Sequence, residues 1–145
     1  LVVGGVAVNL HGYRRFTADV DILLTLDPEN LQTMSDLMHR MGYIERLPVT
    51  LQELSDTKKV QKFLTEKGMT AYTFLSNARE RIDIDVLAAA SLNFQEFDRR
   101  KVMLDLEEGI RVPVISLDDL LHMKRGAKRS KDLEDIAALL ELKGL

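Results

Sequence analysis

Two short segments that alternate acidic and apolar residues constrain this chain more than any other feature. In Asp19-Val20-Asp21-Ile22-Leu23-Leu24, Val20, Ile22 and Leu24 fall on one face of an extended segment and Asp19 and Asp21 on the other, because strand side chains alternate. Ile82-Asp83-Ile84-Asp85-Val86-Leu87 repeats the pattern. Each reads as a strand with one face for a core and one for solvent. Uncompensated carboxylates side by side repel, which costs stability unless a cation lies between them. An oxygen-loving divalent ion such as Mg²⁺ is the natural counter-charge. If the two strands are sheet neighbours, three or four carboxylates line one face. That is in outline a two-metal arrangement, suited to in-line displacement at phosphorus. Taken singly, such a segment is usually a plain solvated strand face, and the second one strengthens the functional reading.

Around these strands the periodicity switches between two and about 3.6, which predicts a mixed α/β domain. Leu1–Val3 reads as the end of a strand, and Val6, Ala7 and Leu10 as a short helix stopping at Gly12. Asp27-Pro28-Glu29 is a helix start, with a capping carboxylate and Pro in the first turn. Leu31, Met34, Leu37, Met38 and Met41 predict its apolar stripe, and Gly42 its end. Thr50–Gly68 reads as helix in one or two pieces, with Leu51, Leu54, Val60, Phe63 and Leu64 inward. Ala71–Leu75 and Arg81–Leu87 read as strands joined through Ser76-Asn77-Ala78. A helix is predicted over Phe94–Arg100 and a strand over Ile110–Ile115, where Pro113 marks an edge or irregular position. Ser116-Leu117-Asp118-Asp119 reads as a capped helix start, and Lys131–Leu142 as a final helix.

Composition narrows the class. The 145 residues are 46% hydrophobic and 30% charged, enough apolar material for one domain's core. With only 8 Gly and 3 Pro, nowhere clustered into a linker, one compact unit is expected over residues 1–145. No apolar run approaches the ~20 residues of a membrane helix. The absence of Cys excludes disulfides and thiolate zinc sites and fits a cytoplasmic protein. A net charge of −3 argues against broad coating of nucleic acid. The opening Leu1-Val2-Val3 looks like mid-strand, so preceding residues, including a helix that completes the domain, are expected.

Further residues gather near the first acidic pair. Gly4-Gly5 follows a strand and opens a helix, where backbone N–H groups favour phosphate, although a tight turn needs the same residues. Arg14, Arg15 and Thr17 precede Asp19; arginines so placed suit triphosphate oxygens or a charged surface. Lys124–Lys131 holds five cations in eight residues, readable as a solvated loop or as a phosphate clamp that could also receive an RNA acceptor. His11 reads as capping, packing or substrate contact, and His39 and His122 as surface or structural. Asp132 and Asp135 are expected to cap and pair within the last helix, and the Met34–Met38–Met41 stripe to be core.

Gly4-Gly5-x-Ala7-x3-His11-Gly12-x2-Arg15-x-Thr17-x-Asp19-x-Asp21 resembles the signature of the DNA polymerase β-type nucleotidyltransferases. More narrowly, the chain is similar to small bacterial and archaeal nucleotidyltransferase-like proteins, including those of toxin–antitoxin and abortive-infection operons. Ile84-Asp85-Val86-Leu87, Ser116 to Lys124 and Arg129-x-Lys131-Asp132-x2-Asp135-Ile136 extend the likeness over nearly the whole chain. The resemblance implies a nucleotidyltransferase fold, a mixed sheet flanked by helices. It implies Mg²⁺ (or Mn²⁺) on Asp19, Asp21 and a third carboxylate, Asp85, with Asp83 as the alternate. It also implies nucleotide phosphates over Gly4 and Gly5, with Arg15, Thr17, Lys124 and Lys131 assisting. Where many members have Gly-Ser at the turn, this chain has Gly-Gly.

The implied activity is transfer of a nucleoside monophosphate from an NTP to an acceptor hydroxyl on protein, RNA or a small molecule, with release of pyrophosphate. The alternative is a non-catalytic protein of this fold, such as one half of a toxin–antitoxin pair, with a partner encoded nearby. A metal-dependent phosphodiester hydrolase is the weaker third reading, since the Gly-Gly turn and Arg-x-Thr spacing suit nucleotide transfer better.

Overall fold

The computed structural model describes residues 1–66, 70–78, 82–87 and 93–145. The chain divides into two compact units, Ala18–Phe94 and Leu1–Thr17 with Gln95–Leu145. Thr17 runs directly into Ala18, so no Gly- or Pro-rich linker announces the division. Among the described residues, no helix is long and apolar enough to cross a membrane.

The unit Ala18–Phe94 is built on a sheet of β1 (Asp19–Ile22), β2 (Tyr43–Glu45), β3 (Ala71–Ser76) and β4 (Asp83–Leu87), in spatial order β1-β4-β3-β2. β3 is antiparallel to both β4 and β2, whereas β1 and β4 are parallel neighbours. Parallel pairing needs a long crossover, and the stretch between β1 and β4 supplies it with α2 (Pro28–Arg40), a 3₁₀ turn (Leu51–Ser55) and α3 (Thr57–Glu66). α2 starts as the sequence predicts: the Asp27 carboxylate accepts from the Asn30 N–H at 3.0 Å, satisfying one of the helix's orphan donors. Gly42, at φ 82°, turns the chain out of the helix into β2.

The core of this unit holds Leu31, Met38, Leu51, Leu54, Phe63, Tyr72, Phe74 and Val86, with Ile22, Met34, Leu64 and Ile84 packed against it. Tyr72 and Phe74 meet edge to face, ring centroids 5.3 Å apart. The apolar stripe of α2 is narrower than predicted. Leu31, Ser35 and Met38 are buried, while Leu37 and Met41 are exposed, because positions six and ten residues beyond Leu31 rotate away from the face that it defines. The predicted helical stretch Thr50–Gly68 divides at Asp56; Gly68 lies outside the described residues, as does Arg81 of the predicted strand. β2 and β5 (Val102–Asp105) escape prediction because their sequences, Tyr43-Ile44-Glu45 and Val102-Met103-Leu104-Asp105, place apolar residues side by side and show no alternation.

The other unit contains α1 (Gly4–Leu10), α4 (Phe94–Arg100, from Gln95 on), β5, β6 (Arg111–Val114), α5 (Leu117–Ala127) and α6 (Ser130–Leu142). The predicted N-terminal strand is a single parallel bridge. Val2 N–H donates to the Pro113 carbonyl at 2.8 Å, and Ile115 N–H donates to the Val2 carbonyl at 3.0 Å. Pro113 sits in the β5–β6 ladder opposite Met103, in a two-stranded sheet where a missing donor is tolerated. Ser116 caps α5, its hydroxyl accepting from Asp119 N–H at 3.2 Å. The basic segment is not a loop: Lys124–Ala127 ends α5, Ser130 and Lys131 open α6, and only Lys128 and Arg129 connect them, Lys128 in the left-handed region at φ 56°.

Candidate functional site

The register of β1 on β4 sets Asp19 opposite Asp83 and Asp21 opposite Asp85, with Val20 opposite Ile84 and Ile22 opposite Val86. Since both strands alternate in phase, all four carboxylates fall on one face of the sheet and the four aliphatic residues on the core face. This pairing meets the condition under which the two acidic strands share one carboxylate face. β3 extends the acidic face: Thr73 lies opposite Asp85 and its hydroxyl donates to the Asp85 carboxylate at 2.6 Å. Asp83 accepts from the Ser76 backbone N–H at 2.8 Å.

These surroundings treat Asp85 as a strained anion. Burial pushes its carboxyl above the ordinary range, the Thr73 hydrogen bond works against that, and the charges of Asp19 and Asp83 push it higher still. The charge of Arg46 opposes them. The donor set is all oxygen and repels itself, the chemistry that a hard divalent cation relieves. Side chains are not closed around an ion, however: among the described residues no three acidic or imidazole groups converge closely enough to hold a metal. The residues therefore fit a divalent ion by donor type, with the first-coordination geometry still open.

The second group of candidate residues belongs to the unit Leu1–Thr17 with Gln95–Leu145. α1 begins at the glycine turn, Gly4 at φ 61°, and its N-cap residue Val3 supplies no side-chain cap. Gly5 is buried, and a Cβ there would stand 2.3 Å from Thr17 Oγ1 and 3.2 Å from Arg15 Nη1. Close approach of the Arg-x-Thr segment, not backbone angle, thus demands glycine at this position. Asn9 fixes that segment from the end of α1, its amide donating to the Arg15 carbonyl and accepting from the Arg15 N–H, both at 3.0 Å.

Two of the cations expected to meet phosphate are engaged within the fold. Arg15 donates through Nε and Nη2 to both carboxylate oxygens of Asp135, at 2.5 and 2.7 Å. Lys124, with 6% of its side chain exposed, lies between Asp132 at 3.0 Å and Asp135 at 2.6 Å. Burial raises the carboxyls of Asp132 and Asp135, but hydrogen bonds and charges of Arg129, Lys124 and Arg15 outweigh it and hold both below the usual range. Arg15 is held correspondingly more firmly in its charged form, mainly by its bond to Asp135. The Lys124 ammonium is thus a buried partner of α6. Asp132 caps α6 as expected, accepting from the Arg129 backbone N–H at 3.3 Å, whereas Asp135 pairs outside its own helix. Lys131 remains at the surface, donating to the Phe16 carbonyl at 3.3 Å, which also accepts from Arg15 Nη1 at 2.9 Å.

His11 takes the packing role, its Nε2 2.8 Å from the Ile115 carbonyl, and His39 pairs with Glu45 at 2.6 Å on the surface. Asn9, Arg46 and Thr73 were missed in the sequence. Only Thr73 carried a signal, as a polar residue one position out of phase with Tyr72 and Phe74 on a predicted strand.

A comparison with curated proteins returned no match. The family model for the nucleotidyl transferase AbiEii toxin of Type IV toxin–antitoxin systems matches residues 1–145 throughout, and the chain belongs to that family of nucleotidyltransferase enzymes.

Proposed function

We propose that this protein transfers a nucleoside monophosphate from an NTP to an acceptor hydroxyl, with Mg²⁺ or Mn²⁺ held by Asp19, Asp21 and Asp85. The observation that carries the reading is the in-phase pairing of β1 with β4, which sets Asp21 beside Asp85 and Asp19 beside Asp83 on one polar sheet face. Asp83, opposite Asp19 on the same face, is the alternate third ligand.

When bound, the divalent ion would offset charge on the triphosphate and on the reacting oxygens. The chain's own part follows from its side chains. The acceptor oxygen bonds to the α-phosphorus, the bond from that phosphorus to the β-phosphate bridge breaks, and pyrophosphate departs with the electron pair. The acceptor's proton passes to a carboxylate. Asp85 suits that role by position, since it stands beside Asp21 and Thr73 fixes one of its oxygens. Gly4, Gly5 and Thr17 are assigned to the triphosphate, together with Lys131 at the surface. Arg15 and Lys124 serve by holding this segment against α6 through Asp135.

The family's toxin–antitoxin setting supports a protein partner encoded nearby, and an RNA acceptor is compatible with the surface cations Arg14, Lys128 and Lys131. The reading is tested by calorimetry of NTP binding with and without Mg²⁺, for wild type and an Asp19→Asn, Asp21→Asn variant. Binding that needs Mg²⁺ and vanishes in the folded variant is expected. Equal binding by both proteins would sink the metal assignment. Transfer is then followed with α-phosphate-labelled NTP.

A further inference from the structure

The carboxylate face continues across the sheet beyond Asp85, and its far end differs from its near end. Arg46 follows β2 directly, and its N–H donates to the Thr73 carbonyl at 3.0 Å, placing it opposite Thr73. Alternation then aligns Asp21, Asp85, Thr73 and Arg46 as one row across β1, β4, β3 and the end of β2. Tyr43, three residues before Arg46 and so on the other face of the strand, is buried in the core, whereas Ile44 and Arg46 are exposed. Beside this end of the row lies a pocket of about 240 Å³ lined by Arg46, Leu47, Ala71, Tyr72 and Thr73. Among the described residues, the Arg46 guanidinium has no hydrogen-bond or ion-pair partner, and its charge acts on Asp85.

We propose that this pocket is a phosphate-binding subsite for the acceptor, with Arg46 as its cation. The inference rests on the reading that Asp85 stands at the reacting end of the row. Neighbouring strands are ~4.8 Å apart, so Arg46 and Asp85 are rooted ~10 Å apart in the sheet. A guanidinium there meets a phosphate bidentately while the attacked hydroxyl lies toward Asp85. Leu47 and Ala71 leave the pocket wall apolar enough for the sugar or methylene between the two. A polycationic acceptor would be repelled at Arg46, and a neutral one would leave this cation unanswered.

The test uses inorganic phosphate as probe, titrated without Mg²⁺ into isotope-labelled full chain and read by NMR at the Arg46 Nε–H and at the amides of Ala71 and Thr73. Saturable shifts at these groups are expected. Arg46→Gln should weaken them at least tenfold, Arg46→Lys should keep part of the affinity, and the Asp19→Asn, Asp21→Asn variant should keep most of it. Shifts unchanged in Arg46→Gln, or absent from Ala71 and Thr73 in wild type, overturn the subsite. Saturating Mg²⁺–ATP separates the two sources of phosphate. Persistence of the phosphate shifts supports the acceptor, and their displacement by ATP overturns it in favour of the triphosphate. Failure of the underlying reading registers elsewhere, as ATP binding indifferent to Asp19→Asn, Asp21→Asn.

Discussion

Arg15 and Asp135, 120 residues apart in the chain, form a two-point ion pair in which a nearly buried guanidinium meets a fully buried carboxylate. Asp135 also accepts from Lys124, so one carboxylate ties the Arg-x-Thr segment and α5 to α6. Removing it leaves two cations short of a counter-charge where water cannot replace it. Asp135→Asn is therefore expected to cost about 3–5 kcal/mol, measured by urea unfolding. A loss near zero would mean that Asp132 alone compensates Lys124 and Arg15.

The same cluster sets the acid limit of stability. Asp132 and Asp135 have folded-state pKa values below the unfolded carboxylate value of ~3.9, so the unfolded chain binds more protons between the two. Their contribution is present above that unfolded value and is lost as pH falls through the folded ones. Unfolding free energy should fall below about pH 4, and more shallowly in an Asp132→Asn, Asp135→Asn variant at the same ionic strength.

Asp85 has the opposite sign. Its pKa is raised on folding, so stability declines as pH rises from the unfolded value through the folded one. Asp85→Asn keeps an oxygen for Thr73 and removes one of the clustered charges. It should gain about 0.2–1 kcal/mol at neutral pH while abolishing transfer, a stability gain made at the expense of function. Thermal unfolding with and without Mg²⁺ checks it: the ion should raise the midpoint of wild type more than that of the variant.

At the glycine turn, the space for a methyl group is already filled by Thr17. Gly5→Ala places Cβ 2.3 Å from Thr17 Oγ1 and 3.0 Å from Thr17 Cβ. The expected penalty is about 1–3 kcal/mol, with weakened NTP binding because Thr17 must shift. Gly5→Ala combined with Thr17→Ala should recover part of the stability but not the binding, comparing denaturation midpoints with calorimetry.

Local chemistry made much of the fold legible in advance. The Asp27 cap, Gly42 as a helix end, the Ser116 start and the limits of Phe94–Arg100 were readable because each depends on a few adjacent residues. The alternation in Asp19–Ile22 and Asp83–Leu87 likewise determined which side of each strand is acidic, whatever lay beside it.

What local pattern could not determine was pairing between distant residues. That Asp21 faces Asp85 in phase, and not displaced by one residue, depends on strand register, which the whole sheet decides by burying Ile22, Ile84, Val86 and Phe74 together. The roles of Arg15 and Lys124 turned on a carboxylate more than a hundred residues from the first and one helix away from the second. In sequence they are cations beside a candidate site; in the folded chain they are largely withdrawn from water, and a cation so placed needs a carboxylate to offset its desolvation.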